Sequence, residues 1–267
     1  MAIIKARNEQ APLLAGGRRH RVLIRYVATK DVEKGKAAEV EPLRYSEVSR
    51  AARESFNAID SDSLYRYFRD GDHTPFFSIR EKFQMRATFS DAVHRRKIFT
   101  VGHGSAVCYY GVPGDKERRL TSWVKKAVRL TQPAELSKRK NEFSETAQRL
   151  AQSTFGEQML DMIEIRGLAV STKRQGRGYG TALVEAIHAI ADEQGRAIWL
   201  VTGDAVGFYE TLGYIMIREH WIGTGNPAWN GPPVPVRIVY EDIINHPLQM
   251  VRGPQPTVND RRNVPRH

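Results

Sequence analysis

The stretch RQGRGYG, Arg174–Gly180, sits between an apolar run, MIEIRGLAV (Met162–Val170), and a helix-like segment, TALVEAIHAIADEQG (Thr181–Gly195). Apolar residues recur at helical spacing in the second segment and the first is rich in Ile and Val, so the unit reads as strand, loop, helix. Gly176, Gly178 and Gly180 take side chains out of the loop. Backbone N–H groups can then approach an anion that the positive end of the helix dipole also faces. Lys173, Arg174 and Arg177 add positive charge at the rim, and Gln175 and Thr181 add side-chain hydrogen bonds. These residues outline a phosphate site. A P-loop would need a Gly-Lys-Ser/Thr ending that is missing here. A dinucleotide fingerprint would need Gly-x-Gly-x-x-Gly after the first strand of a βαβ unit, whereas these glycines alternate and lie late in the chain.

Working outward, HRVLIRYVAT (His20–Thr29) reads as a first strand. SEVSRAARESFNAI places Val48, Ala51, Ala52, Phe56 and Ile59 on one helical face, and SLYRYFRD and PFFSIREKFQMRATFSDAVHRR continue as helices broken around Asp70, Gly71 and Pro75. KIFTVGHGSAVCYYGVPG reads as a hairpin turning at Gly102–Gly104. Residues 115–160 are charged and helical, an inserted helical pair. After the loop come the helix from about Thr181 to Glu193, a strand from Ala197, a short helix AVGFYETLG, a strand YIMIREHWI, the proline-rich loop GNPAWNGPPVP and a closing strand VRIVYEDII. The fold class is therefore mixed α/β in one domain over 20–248, with a flexible segment at 1–19 and a disordered basic tail at 249–267.

Over 267 residues, 41 Lys and Arg stand against 30 Asp and Glu, a net charge of +11 that favours anionic partners without choosing among them. Cys108 is the only cysteine, which excludes an intrachain disulfide framework and fits a reducing compartment. No window approaches the roughly 20 apolar residues of a membrane span, and the N-terminus lacks a sustained apolar region. The expectation is a cytoplasmic protein without a membrane partner, with a nuclear location as the alternative and a mitochondrial one, from the basic N-terminus, as the lesser alternative. No His, Cys and Asp set has metal-ligand spacing, so no metal is expected.

The pattern Gln/Arg-x-x-Gly-x-Gly/Ala, present as QGRGYG, is preceded by RGLAVS and followed by FYETLGY. Together these resemble the GCN5-related N-acetyltransferase superfamily, closely over Met162–Ile217. The resemblance implies a mostly antiparallel twisted sheet flanked by helices and acetyl-CoA as the acetyl donor. It implies that Arg174, Gln175, Gly176, Arg177, Gly178, Tyr179, Gly180 and Thr181 hold the pyrophosphate. A bulged strand ending in Leu168, Ala169, Val170 and Ser171 would pair with the pantetheine arm. The Leu168 N–H would polarise the thioester carbonyl, and one such backbone donor is worth about 2.7–4 kcal/mol in acyl transfer. Tyr209 matches the acid that protonates the departing thiolate, a phenol of pKa about 10 being protonated at neutral pH. Its bland alternative is a packed aromatic beside Phe208.

Glu164 matches in register the glutamate that acts as general base through water in histone-type members. Arg166 departs from that pattern, and a cation two residues away can simply pair with the carboxylate. Asp204 stands where relatives contact pantetheine or substrate, though capping the AVGFYETLG helix explains it equally well. His103 reads as a solvated turn residue, His188 as packing or surface, His220 as a cleft candidate and Cys108 as core. The inserted helices and the proline-rich loop are expected to border the acceptor cleft. A histone tail would prefer an acidic groove, so the acceptor expected is a small amine. The rival readings are a protein acetyltransferase, a basic nucleic-acid-associated module and a non-catalytic acyl-CoA sensor.

Overall fold

The computed structural model describes residues 38–241 and the strand backbone at Tyr26–Val27. The expectations for 1–19 and 249–267, and most of the strand expected over His20–Thr29, lie outside the described residues. In chain order the elements are β1 (Tyr26–Val27), β2 (Glu39–Pro42), α1 (Val48–Ala58), α2 (Ser63–Asp70), α3 (Phe77–Arg95), β3 (Ile98–Val101), β4 (Ala106–Gly111), α4 (Arg119–Leu130), α5 (Ala134–Phe155), β5 (Ile163–Val170), α6 (Tyr179–Gln194), β6 (Ile198–Thr202), α7 (Val206–Glu210), β7 (Ile215–Ile222) and β8 (Val234–Glu241). Asp62 starts α2 by accepting the Tyr65 N–H at 3.0 Å, the N-cap arrangement that its side chain favours. The short strand β2, EVEP, escaped sequence reading because four residues with two glutamates carry little β signal.

The strands form one eight-stranded sheet in the order β1-β2-β3-β4-β5-β6-β8-β7. Every neighbouring pair is antiparallel except β5 and β6. That parallel pair is in register only over Ile163–Ile165 against Ile198–Leu200. Beyond Ile165 the two strands part, and Arg166–Val170 keep a ladder with β4 alone. At the parting point Tyr109 faces Gly167 and Tyr110 faces Ile165, so Arg166 is an extra residue and β5 is bulged there.

The bulge resets which side chains face which layer. Before it Ile163 and Ile165, and after it Leu168 and Val170, belong to the core under α6; Ala169 turns to the layer formed by α1 and α3. The α6 side is the larger core, where Ala182, Leu183, Ala186, Ile187, Ile190 and Ala191 meet β2 to β5 and β8. On the opposite face α5 covers Trp199, Ile238 and Tyr240, and α2 with α5 covers Ile222, Val234 and Val236.

The helical insertion is pinned by Arg139, whose side chain is fully buried on α5. Its guanidinium donates to Glu135 at 2.7 Å, to Asp70 at 3.0 Å, and to the carbonyls of Tyr67 at 2.6 Å and Ala228 at 2.8 Å. The rings of Tyr67 and Trp229 lie 4.7 and 5.3 Å away. One cation thus ties α5 to α2 and to the proline-rich loop. Replacing it by an apolar side chain strands two carbonyls and two carboxylates. Arg139→Met is expected to lower unfolding free energy by about 3–5 kcal/mol in urea titration, and a loss below about 1 kcal/mol would remove the pinning role.

Candidate functional site

Three features converge where β5 leaves β6. The first is an open strand edge. Ser171 N–H donates to the Ser105 carbonyl at 2.8 Å, on the β4 side. Alternation along an extended chain then directs the N–H and C=O of Val170, and of Leu168, to the opposite edge. The Gln175 side-chain amide confirms the direction by donating to the Val170 carbonyl at 3.2 Å.

The second feature is the loop Ser171–Gly178. Gly178 closes it as the N-cap of α6 with φ of +73°, a conformation that costs an L side chain strain, and no side chain caps the helix. The first turn of a 16-residue helix therefore presents its N–H groups and positive dipole end outward. Lys173, Arg174 and Arg177 are exposed around it and enter no ion pair within 4 Å among the described residues. Gly180 is half-buried, and a Cβ there would meet the Phe208 ring at 3.2 Å, so α6 and α7 approach closely just behind the loop.

The third feature is Tyr209 on α7. It is buried, with rings of Phe208 and Tyr214 at 5.1 and 5.4 Å in edge-on contact, and it shares the α6-side core with Cys108 and Leu168. Burial raises its pKa well above that of a free phenol, so it is protonated at any physiological pH. No hydrogen bond reaches its hydroxyl among the described residues. Cys108 is fully buried, its thiol pushed up to about 12, which leaves it an inert core residue.

Two cavities flank the strand on the face opposite α6. One, of about 250 Å³, is bounded by α1, α3 and β4, and touches β5 at Gly167, Leu168 and Ala169. Gly167 is required by this packing, because a Cβ would fall 2.4 Å from the Tyr109 ring. The other, of about 420 Å³, is bounded by the end of α5, the turn after it, Trp199, Glu164 and Arg166.

The remaining sequence candidates fall as follows. Glu164 is paired with Arg166, whose Nε donates to it at 2.8 Å, so of its two expected roles the ion pair is the one displayed. Asp204 does not cap α7, whose N-cap is Ala205. It instead accepts from Ser63 N–H at 2.7 Å and Ser63 Oγ at 2.8 Å, joining α2 to the end of β6. Both of its anticipated roles overlooked a partner 141 residues away in sequence. Ser171 Oγ donates to Glu54 at 2.8 Å, and this bond is the main cause holding the Glu54 carboxyl below its usual range. His103 is exposed with Glu47 at 2.9 Å, His220 is exposed on β7, and His188 meets the Tyr214 hydroxyl at 3.0 Å with its pKa lowered by burial to about 4.

The cavity that touches Leu168 is lined by neither the inserted helices nor the proline-rich loop; α1 and α3 supply its helical walls. Sequence reasoning missed Ser55, Ile59, Gln84, Met85, Thr88 and Phe89 there. Their helical periodicity marks them as core-facing, and nothing local shows that one turn of that face borders a void instead.

A family model of the acetyltransferase (GNAT) domain matches residues 144–216. No curated protein matches the sequence. Among solved structures, the polyamine N-acetyltransferase of Drosophila melanogaster, which forms N-acetylagmatine, is similar with a TM-score of 0.50 at 15% identity, covering 75% of this chain and 97% of its own. Arylalkylamine N-acetyltransferase 2 of Aedes aegypti aligns with a TM-score of 0.48 at 18% identity, covering 76% and 97%. At such identities the likeness to the Drosophila structure is one of fold.

The exposed cations at the loop give a test that spares the backbone. Arg174→Glu combined with Arg177→Glu is expected to weaken acetyl-CoA binding at least tenfold in calorimetry while the melting temperature without ligand stays put, since both side chains are solvated. Undiminished affinity would detach the loop from phosphate recognition.

Proposed function

We propose that this chain, which belongs to the GCN5-related N-acetyltransferase family, transfers an acetyl group from acetyl-CoA to the primary amine of a small molecule by direct attack in a ternary complex. The observation that carries the reading is the meeting of an unpaired β5 edge with the uncapped, cation-rimmed N-terminus of α6. The donor set fits the donor molecule: N–H groups and arginines for a pyrophosphate, and alternating backbone donors and acceptors for the amides of a pantetheine arm. Acetyl-CoA supplies the activated thioester.

The chain's own groups then divide the work. Leu168 N–H, directed to the open edge, holds the acyl oxygen as negative charge grows on it, and a fixed backbone donor needs no reorganisation to do so. Tyr209 keeps its proton because burial raises its pKa, and gives it to the departing sulfur. The amine enters through the cavity that reaches Gly167–Ala169 and sheds its proton to water there. Glu164 stays with Arg166 and shapes the neighbouring wall. The cavity's volume of about 250 Å³ falls just below the usual range of ligand pockets, which supports a small acceptor over a peptide.

Thermal unfolding with acetyl-CoA, CoA, ATP or NAD at about 100 times a plausible dissociation constant tests the donor. Binding to the native state alone adds about 2.7 kcal/mol, or roughly 5–10 °C, for the first two and nothing for the others. No shift with any of them would favour the basic nucleic-acid-associated reading. Tyr209→Phe is expected to lower turnover about 10²-fold or more with little change in acetyl-CoA affinity; because its hydroxyl has no partner among the described residues, the fold should tolerate the change, and unaltered turnover would retire the acid role. Glu164→Gln is expected to change turnover less than about tenfold, whereas a loss of about 10²–10⁴ would make Glu164 the base after all.

A further inference from the structure

We infer that Lys140 sets acceptor specificity by occupying, from within the protein, the carboxylate that a second ammonium group would need; the acceptor is therefore a monoamine with an apolar or aromatic body. This rests on the cavity at Gly167–Ala169 being the acceptor site. Its walls carry an apolar patch, Ile59, Met85, Phe89, Val107 and Tyr109, beside the neutral polar side chains of Ser55, Gln84 and Thr88. Phe89 and Tyr109 stand edge to face with centroids 5.7 Å apart, the arrangement into which a third ring packs well. Burial pushes the Tyr109 phenol up to about 12, so it contributes no charge.

Glu81 on α3 is the one carboxylate in the lining. Left alone in such a place it would recruit a cation, and a diamine acceptor would supply one at its far end. The place is taken. Lys140 reaches across from α5 and donates to Glu81 at 2.6 Å, and both side chains are largely shielded, 22% and 15% exposed. The lysine is braced by the Phe68 ring 6.0 Å from its ammonium. A diamine would have to displace a held ammonium from a low-dielectric site, or bury its own second charge without a partner. An apolar monoamine incurs neither cost.

The test compares kcat/KM for phenethylamine and putrescine in the wild-type chain and in Lys140→Met. Wild type is expected to favour phenethylamine at least tenfold. Lys140→Met, which leaves Glu81 unpaired in the lining, is expected to shift that ratio towards putrescine by at least tenfold. The double variant Glu81→Gln with Lys140→Met removes both charges and should return the preference to phenethylamine, which a loosened fold would not do. If Lys140→Met alone proves unstable, Lys140→Gln with the same ratio replaces it. A wild-type preference for putrescine, or a ratio unmoved by either Lys140 variant, overturns the inference. Acetyl-CoA binding, followed separately by calorimetry, keeps the two failures apart: lost binding in the wild type would fell the acetyltransferase reading itself, whereas retained binding with the wrong preference fells only this one.

Discussion

A strand that leaves its neighbour exposes backbone donors and acceptors that the fold must pair with something, and in this chain that cost is concentrated in five residues of β5. The bulge at Arg166 creates the situation. It admits one extra residue, turns Leu168 and Val170 onto the α6 core, and sends the strand away from β6 while β4 continues to hold it. Among the described residues Gln175 alone returns a side chain to that edge. The sheet is thus complete as a scaffold and incomplete as a hydrogen-bonding system, and the incompleteness lies beside an uncapped helix start. A ligand carrying both amides and phosphates answers both deficits at once.

Local chemistry made the centre of this arrangement readable. The alternating glycines, the arginines between them and the helical repeat after them are consecutive in sequence, so strand, loop and helix could be placed to within a residue or two. Arg166 as the partner of Glu164 was equally accessible, because two residues in one strand direct their side chains alike. What the sequence withheld was long-range. Asp204 meets Ser63 across 141 residues, Arg139 meets Ala228 across 89, and Lys140 meets Glu81 across 59. Such contacts depend on how layers stack, and no periodicity reports that. The helical walls of the cavity at Gly167–Ala169 were out of reach for the same reason: they come from α1 and α3, whereas the inserted helices stand behind them, α4 against α3 and Lys140 of α5 against Glu81.

The net charge of +11 also changes meaning once the fold is known. Arg80, Arg95, Lys97, Arg139, Lys140, Arg166 and Arg237 all face carboxylates, so a good part of the basicity is internal fastening. Lys173, Arg174 and Arg177 differ in having solvent as their surroundings, next to a helix terminus of the same sign. Cations gathered around an anion-ready helix terminus suit a phosphorylated small molecule, whereas an extended polyanion would ask for a stripe of such groups.

Burial of Tyr209 carries the opposite lesson, that a dry site does not disqualify an acid. Raising a phenol's pKa weakens it against a fixed acceptor. The acceptor proposed here is not fixed, because a thiolate released against the same apolar core would be desolvated too. Cys108, in the same core, shows the direction of that effect: burial raises the pKa of its thiol. Phenol and thiolate then move upward together, and what survives is their difference. A hydroxyl without a partner among the described residues is then the expected state of the resting site, since the group it would serve arrives only with the substrate.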